Sequence, residues 1–578
     1  MVIPVNSSEQ ARRNGVSQIP ALETCSPVKD IELKSCKNSY LVTAEQMRAF
    51  DLAAINEFAI PGVVLMENAG RASFEILKKA LDDDLDGLNV SVVAGPGNNG
   101  GDGYVIARYL INSGADVKTF LLSPREKIRG DARANLNILE RMGASIWQIN
   151  SVDALESVQQ MWSESSVIVD AILGTGLQLE VRSPYREAIE KINSLKAIKM
   201  SVDIPSGLDS DTGKILGVAI QANLTATFGF KKLGMALYPG LGLCGQTQTI
   251  DIGIPETAVQ KSTPDVLLYE KPDLKRYLSL RSDPTAHKGT FGRVLVVGGS
   301  SGKTGAVAMA AMAASRMGAG LVTVAVPASL NSILESKLTE EMTEPLYDES
   351  GHFLPSAANR VLELAQDKDV VAVGPGLSTG PGALKIVQSL LNHYEGKLII
   401  DADGLNCLAQ DLSFLSRTNA EVVLTPHPGE MARLLGFSCS QVQQNRFAIG
   451  KEFATTHKCG LVLKGASTIT FFPSGQAFVN NTGNSWMASG GQGDVLTGIL
   501  AGLVAQRLPL EAIIPFGVWF HGLVADGIVD RDGPGPVVAT VIVSEIPNFL
   551  QKVIKTCSKK GKDSYPRFWR RLNGVRDR

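Results

Sequence analysis

Two successive runs of short aliphatic segments dominate this chain, each segment breaking at its carboxyl end into a glycine- or aspartate-bearing turn and then a longer amphipathic stretch. That alternation restricts the fold to strands and helices layered around mainly parallel sheets. The first run comprises NVSVVAG (89–95), DGYVIARYLINSG (102–114), ADVKTFLL (115–122), SSVIVDAIL (165–173) and IKMSVDIP (198–205), and closes on QTQTIDIGIP (246–255). A polar, proline-marked segment follows (264–290). The second run contains GRVLVVGG (292–299), GAVAMAAMAASRMG (305–318), LVTVAVP (321–327), DVVAVGPG (369–376), KLIIDADG (397–404), EVVLTP (421–426) and GLVLKG (460–465). No repeat relates the two halves. At 578 residues the chain exceeds what one core supports. The expected organisation is a poorly ordered leader (1–40), an α/β domain (41–257), a linker (258–272), a second α/β domain (273–556) and a basic tail (557–578).

Composition removes several function classes. The net charge of -2 gives no general attraction to nucleic acid or anionic membrane. The basic tail reads as a solvated segment. The seven cysteines form neither CxxC nor Cys/His spacing, so neither a zinc site nor a disulfide framework is indicated. A reducing, cytoplasmic setting follows. No apolar run approaches the roughly 20 residues that span a bilayer. Arg12 and Arg13 precede polar residues rather than an apolar signal segment.

In the first half, GPGNNGGDG (95–103) follows a predicted strand and opens a helix. Its glycines allow tight folding around a ligand, and amides freed at the helix start bind anions. Asn98, Asn99 and Asp102 put polar side chains where the hydride-transfer GxGxxG motif wants small ones. Asp170 ends one strand before AILGTGL (171–177), and Asp203 ends another before IPSGLDSDTG (204–213). Ligands of open α/β sheets gather at such carboxyl ends, so three turns can converge on one crevice. Asn99, Asp170 and Ser206 offer hard oxygen donors suited to a cation. Each aspartate alone is equally well explained as a cap or turn former.

In the second half, GGSSGKTGA (298–306) opens an Ala-rich helix but lacks the glycine spacing of a P-loop. NTGNSWMASGGQGDVLTGILAGL (481–503) places Gly490, Gly491 and Gly493 around Asp494 at the start of an apolar helix. Helix-start amides there stabilise a transferring phosphoryl group, and Asp494 can take a proton from an attacking hydroxyl. A buried carboxyl beside an anion tends toward a raised pKa, which suits a base. LTPHPGE (424–430) sets His427 between prolines, where the residue alone reads more naturally as structural than as a ligand. VLKGAST (462–468) offers Lys464 and backbone groups to a nucleotide.

MENAG (66–70), AGPGNNGGDGY (94–104), DAILGTGL (170–177), SVDIPSGLDSDTG (201–213) and TFGFKKLG (227–234) together resemble the YjeF N-terminal family of NAD(P)H-hydrate epimerases. HKGTFGRVLVVGGSSGKTGA (287–306) and the later motifs resemble the ADP/ATP-dependent NAD(P)H-hydrate dehydratases. The resemblances imply a Rossmann-like αβα sandwich followed by a ribokinase-like αβα domain. In the first, they imply substrate contacts at Asn98, Asn99, Gly100, Gly101, Asp102, Gly174, Thr175, Gly176, Leu177, Gln178, Leu179, Glu180 and Asp203. They also imply potassium at Asn99, Asp170 and Ser206, with Asp203 as the acid/base group at C6 of the damaged nicotinamide ring. In the second, they imply substrate contacts at Ala306, Gly376, His427 and Asp494, and nucleotide contacts at Lys464, Gly465, Ala466, Ser467, Thr468 and Gly493. Asn484-Ser485-Trp486 departs from the proline and glycine common before Met-Ala in that family.

The implied partners are NADHX and NADPHX, the hydrated cofactors, with magnesium and ADP as phosphoryl donor. The fused, epimerase-first order resembles bacterial bifunctional enzymes that favour ADP over ATP. No nucleic acid or membrane partner is expected, and a homo-oligomer is. The competing enzyme reading is a ribokinase-class small-molecule kinase carrying a YjeF-type interaction module. That reading leaves the first site idle, and an intact Asp170 and Asp203 argue against a mere scaffold.

Overall fold

The computed structural model describes residues 39–261, 264–270, 277, 281 and 283–558. The leader up to residue 38 and the tail beyond residue 558 lie outside the described residues. The strands in chain order are β1 Tyr40–Val42, β2 Asn89–Ala94, β3 Asp116–Leu121, β4 Ser145–Gln148, β5 Val167–Ala171, β6 Ile198–Val202 and β7 Leu224–Phe228. They continue with β8 Lys231–Lys232, β9 Gln246–Ile250, β10 Val266–Leu268, β11 Arg293–Val297, β12 Leu321–Pro327, β13 Met342–Leu346, β14 Asp348–Glu349 and β15 His352–Phe353. The last are β16 Val370–Val373, β17 Lys397–Ile400, β18 Glu421–Leu424, β19 Gly460–Leu463, β20 Thr468–Phe471 and β21 Ala477–Asn480.

The first sheet has seven strands in the order β4-β3-β2-β5-β6-β7-β9, and every adjacent pair is parallel. Its central strands are covered on both faces: β5 is buried along its whole length, as the unbroken apolar run in SSVIVDAIL predicts. The order reverses between β2 and β5, which opens a crevice at their carboxyl ends.

The second sheet has twelve strands, β13-β12-β11-β16-β17-β18-β19-β20-β21-β10-β1-β8. From β13 to β19 all pairs are parallel, with a reversal between β11 and β16. β19, β20 and β21 then run antiparallel to one another. The last three strands of that sheet, β10, β1 and β8, include two from the first domain. Leu41, Leu233, Ala236 and Leu237 consequently share one core with Val266, Leu268 and the β17–β21 side chains. Within the segment expected to be a linker, 258–272, the described residues 264–270 are therefore not a free connector. Their β10 pairs with β21 on one side and β1 on the other, because the alternating apolar Val266 and Leu268 fill a gap between domains.

A second correction concerns the apolar helices. Helix Leu510–Asp532, 23 residues long, is apolar enough to cross a membrane by length and composition, contrary to the sequence expectation. It is apolar on most sides because it is enclosed: 78% of its apolar window is buried in the second domain. Beside it, helix Gln492–Val504 packs against helix Thr304–Arg316. A Cβ on Gly498 would lie 2.1 Å from the Ala310 carbonyl, so glycine is what allows this approach. That contact fixes the helix whose first turn carries Asp494.

Two candidate active sites

The first crevice is built where β2 and β5 part. Gly95 follows β2 so tightly that a Cβ there would sit 1.9 Å from the Ile172 carbonyl. Helix Asn98–Asn112 starts immediately afterwards and carries Asn99 and Asp102 in its first turns. Asp170, fully buried on β5, accepts from Ser201 Oγ (2.8 Å), the Ser206 amide (2.9 Å), Ser206 Oγ (2.5 Å) and the Ile172 amide (3.3 Å). Burial raises its pKa, and those hydrogen bonds oppose the rise. Asn99 Nδ2 donates to the Leu173 carbonyl at 3.2 Å, and Ser206 Oγ stands 3.1 Å from the same oxygen. Asn99, Asp170 and Ser206 thus converge as expected, and Asn99 Oδ1 is left buried without a partner.

Asp203 sits just past β6 with φ 65°, a left-handed conformation that costs a non-glycine residue energy. Its Oδ1 accepts from the Phe228 amide at 3.0 Å and from the ammonium of Lys232. Lys232 is completely buried and also donates to Thr227 Oγ1 (3.1 Å) and the Phe228 carbonyl (3.0 Å). Two further carboxyls belong to this group. Burial, then Asp203 and Asp51, hold Asp102 well above the usual carboxylate range. Burial lifts Asp51 to about 6 against the pull of Lys232.

Of the remaining implied substrate contacts here, Gly174 lies against Asn99, with its would-be Cβ 3.4 Å from Asn99 Cβ. Asn98 is exposed at the helix start, and Gly100 and Gly101 are buried behind it. The rest of the turn is open to solvent to differing degrees. Thr175 and Leu177 are half-buried, while Gly176, Gln178, Leu179 and Glu180 are exposed, Leu179 at 69%.

The second crevice lies at the carboxyl ends of β16 to β19. Gly376, after β16, faces Ala306, whose Cβ would stand 3.2 Å from a Cβ on the glycine. Asp401 ends β17 and accepts from Lys464 Nζ and Thr497 Oγ1, both at 2.7 Å. Lys464 follows β19 and also lies 3.7 Å from Glu430. Burial pulls the lysine's pKa down, but Asp401 and Glu430 outweigh it and hold it above the ordinary value. Asp494 is pushed up to about 7, chiefly by burial and then by Asp401, with Lys464 opposing. Gly493 adjoins the same group: a Cβ there would lie 3.3 Å from Lys464 Nζ.

His427 is the N-cap of helix Pro428–Leu435. Its Nδ1 accepts from the Gly429 (2.9 Å) and Glu430 (3.3 Å) amides, and Glu430 returns a bond to the His427 amide at 2.8 Å. The capping role places the ring, half exposed, at the rim of the crevice.

The nucleotide segment Lys464–Thr468 is held from behind by Arg446, which donates to the carbonyls of Leu463 (3.1 Å), Lys464 (3.3 Å) and Ala466. Gly465 packs on that guanidinium and Thr468 Oγ1 donates to the Gly465 carbonyl at 2.9 Å; with the Asn481 amide turned so that its nitrogen meets the surrounding acceptors, it donates to Ser467 Oγ at 3.0 Å. Asn481 also donates to the Ala236 carbonyl of the first domain at 3.0 Å. Trp486 lies in a single 3-10 turn ahead of helix Gln492–Val504, 42% exposed, and Asp526 ties the preceding Gly483 and Asn484.

Sequence reasoning therefore found the strand-end turns but missed Asp51, Lys232, Asp401, Glu430 and Arg446 as members of the sites. Lys232, Asp401 and Glu430 stood inside strings already singled out. Their partners are distant in sequence, and only the sheet order reveals them.

Comparison with known proteins divides the chain in the same way. Residues 62–234 match the family model for YjeF-related protein N-termini, and residues 294–548 match that for NAD(P)H-hydrate dehydratase. The chain is 41% identical over 515 residues to the bifunctional NAD(P)H-hydrate repair enzyme Nnr of Moorella thermoacetica, covering 89% of this chain and 97% of that one. It is 31% identical to the bifunctional NAD(P)H-hydrate repair enzyme of Leishmania braziliensis, over 94% of this chain and 99% of the relative. Among solved structures, the ADP/ATP-dependent NAD(P)H-hydrate dehydratase of Bacillus subtilis aligns with a TM-score of 0.42 and 26% identity, covering 49% of this chain and 99% of that one. With both domain models matched in order and relatives aligned across nearly the whole length, this chain belongs to the family of bifunctional NAD(P)H-hydrate repair enzymes.

Proposed function

We propose that the first domain interconverts the R and S epimers of hydrated NADH and NADPH, and that the second dehydrates the S epimer using ADP. The observation that carries this reading is one carboxyl in each crevice, Asp203 and Asp494, set at a strand or helix end within electrostatic reach of a lysine, the buried Lys232 and the half-buried Lys464. In the second site Asp494 takes the proton of the C6 hydroxyl as that oxygen attacks the terminal phosphorus of ADP. The O–P bond forms, the bond to AMP breaks, and the first-turn amides of helix Gln492–Val504 hold the transferring charge. Loss of phosphate from C6 together with a C5 proton then restores the ring double bond.

Lys464, Gly465, Ala466, Ser467, Thr468 and Gly493 form the nucleotide side of this crevice; Ala306, Gly376 and His427 form the substrate side. Magnesium enters with the ADP phosphates. In the first site Asp203 is the acid/base group at C6. The unpartnered, buried Asn99 Oδ1, with Asp170 and Ser206 beside it, is an all-oxygen donor set that fits potassium. Held by Asn99, Asp170 and Ser206, such an ion would offset the buried charge of Asp170. Unpaired Cys244, Cys407, Cys439 and Cys459 support placing this chemistry in the reducing cytoplasm.

The test is stoichiometry. Purified S epimer with ADP and magnesium is expected to yield NADH, AMP and phosphate in equal amounts. Formation of NADH without consumption of nucleotide, or phosphorylated product that accumulates without NADH, overturns the dehydratase reading.

A further inference from the structure

The first crevice holds more proton-carrying groups than one acid–base residue requires. Asp203 already has Lys232 as its counter-ion. Asp102, from helix Asn98–Asn112, and Asp51, from helix Ala44–Asn56, both lie within electrostatic reach of that pair. The latter helix is closely located. Thr43 and Gln46 form a capping box, and the Ala44 amide donates to Asp211 Oδ1 at 2.7 Å. Met47 packs on Gly229, and the Phe50 ring lies 5.6 Å from that of Phe230. Both contacts are on the segment between β7 and β8 that delivers Lys232. Asp51 follows Phe50 directly, and its Oδ1 is buried without any hydrogen-bond partner. A buried carboxyl oxygen lacking a donor is costly unless something outside the fold occupies it.

We propose that Asp51 is a second catalytic acid–base group of the epimerisation, working with Asp203 across the C6 centre of the substrate. The inference rests on the epimerase reading of this site. Inversion at C6 proceeds by expulsion of the hydroxyl by the ring nitrogen lone pair. The C6–O bond breaks, one carboxylic acid supplies the proton, and water departs to leave an N1=C6 cation. A water molecule then adds to the opposite face of C6, forming a new C6–O bond and passing its proton to the other carboxylate. One direction uses Asp51 as acid and Asp203 as base; the reverse direction exchanges the roles, so neither group needs an outside co-reactant beyond water. At about 6, Asp51 populates both protonation states near neutrality, as this exchange demands. Burial and the neighbouring Asp203 and Asp51 hold the Asp102 carboxyl well above the usual carboxylate range.

The experiment measures R–S interconversion by chromatography of separated epimers, with the full chain, in heavy-oxygen water. Asp51→Asn is expected to lower kcat for epimerisation about 100-fold while leaving KM nearly unchanged, as loss of general acid–base catalysis does. Dehydration of pure S epimer by the same preparation stays at the parent rate and shows that the chain is folded. Asp51→Asn with Asp203→Asn is expected to lose little more than the worse single variant, because the two act as a unit. Each inversion by the parent carries one heavy oxygen into the C6 hydroxyl. Parent-like epimerisation by Asp51→Asn overturns the assignment, as does a loss confined to KM or inverted product without label. Failure of the parent itself to epimerise instead removes the epimerase reading, and this inference with it.

Discussion

Both crevices hold a carboxyl and a lysine at the mouth of a parallel sheet, Lys232 fully buried and Lys464 half-buried, and they pair the two charges differently. In the first, Lys232 sits on Asp203 itself. In the second, Lys464 is hydrogen-bonded to Asp401 and near Glu430, so its charge reaches Asp494 only from a distance. Asp494 therefore keeps most of the effect of burial and rises to about 7, where a carboxylate is a competent base at neutral pH. The difference shows how one kind of lysine gives different chemistry according to which neighbour it neutralises.

The strongest break of this comparison is removal of the carboxyls. Asp494→Asn is expected to lower the dehydration kcat/KM by about 1,000-fold and leave epimerisation intact; Asp203→Asn is expected to do the reverse. Steady-state rates on separated epimers decide it, and loss of both activities in either variant contradicts two independent centres.

Next in size is Lys464→Met. It strips the partner from Asp401, a nearly fully buried carboxylate, and is expected to cost about 3 kcal/mol in denaturant unfolding of the second domain. It also removes the group that restrains Asp494. The pH profile sharpens that point. Asp494 works ionised, so dehydration kcat/KM falls as pH drops through about 7 and levels off above it. In Lys464→Met the limb moves to higher pH, and an unmoved limb shows that another group titrates.

Arg446→Met frees the carbonyls of Leu463, Lys464 and Ala466 and is expected to raise KM for ADP about tenfold without touching the first site. The smallest effect belongs to Asn481→Ala, which cuts the link from Ala236 to Ser467 and is expected to raise KM for ADP about threefold. Titration of initial rates with ADP separates these from changes in kcat.

Much of this architecture was legible in the sequence because parallel strands buried on both faces read as unbroken aliphatic runs, and their ends carry the glycine and aspartate turns. Asp170, Asp203, Lys464 and Asp494 stood out on that basis. The pairing of Lys232 with Asp203, or of Asp401 with Lys464 and Thr497, is a through-space fact set by sheet order. Asp51 lacked even a local signal, since a lone aspartate in an amphipathic helix looks like solvated surface. The linker was misread because β10 is only three residues long, too short for periodicity to show. Helix Leu510–Asp532 was misjudged for the opposite reason: its Glu511, Asp526 and Asp530 interrupt an otherwise apolar stretch. One consequence was invisible at any local level. Lys232 of the first site lies on β8, the edge strand of the second domain's own sheet.

The most direct test of two separate centres is recovery of reduced-nicotinamide absorbance from mixed epimers with ADP and magnesium, using Asp203→Asn, Asp494→Asn and an equal mixture of the two. The account predicts a fast phase limited to the S fraction for the first variant, none for the second, and full fast recovery for the mixture. Failure of the mixture to exceed Asp203→Asn alone, or full fast recovery by either variant by itself, contradicts it.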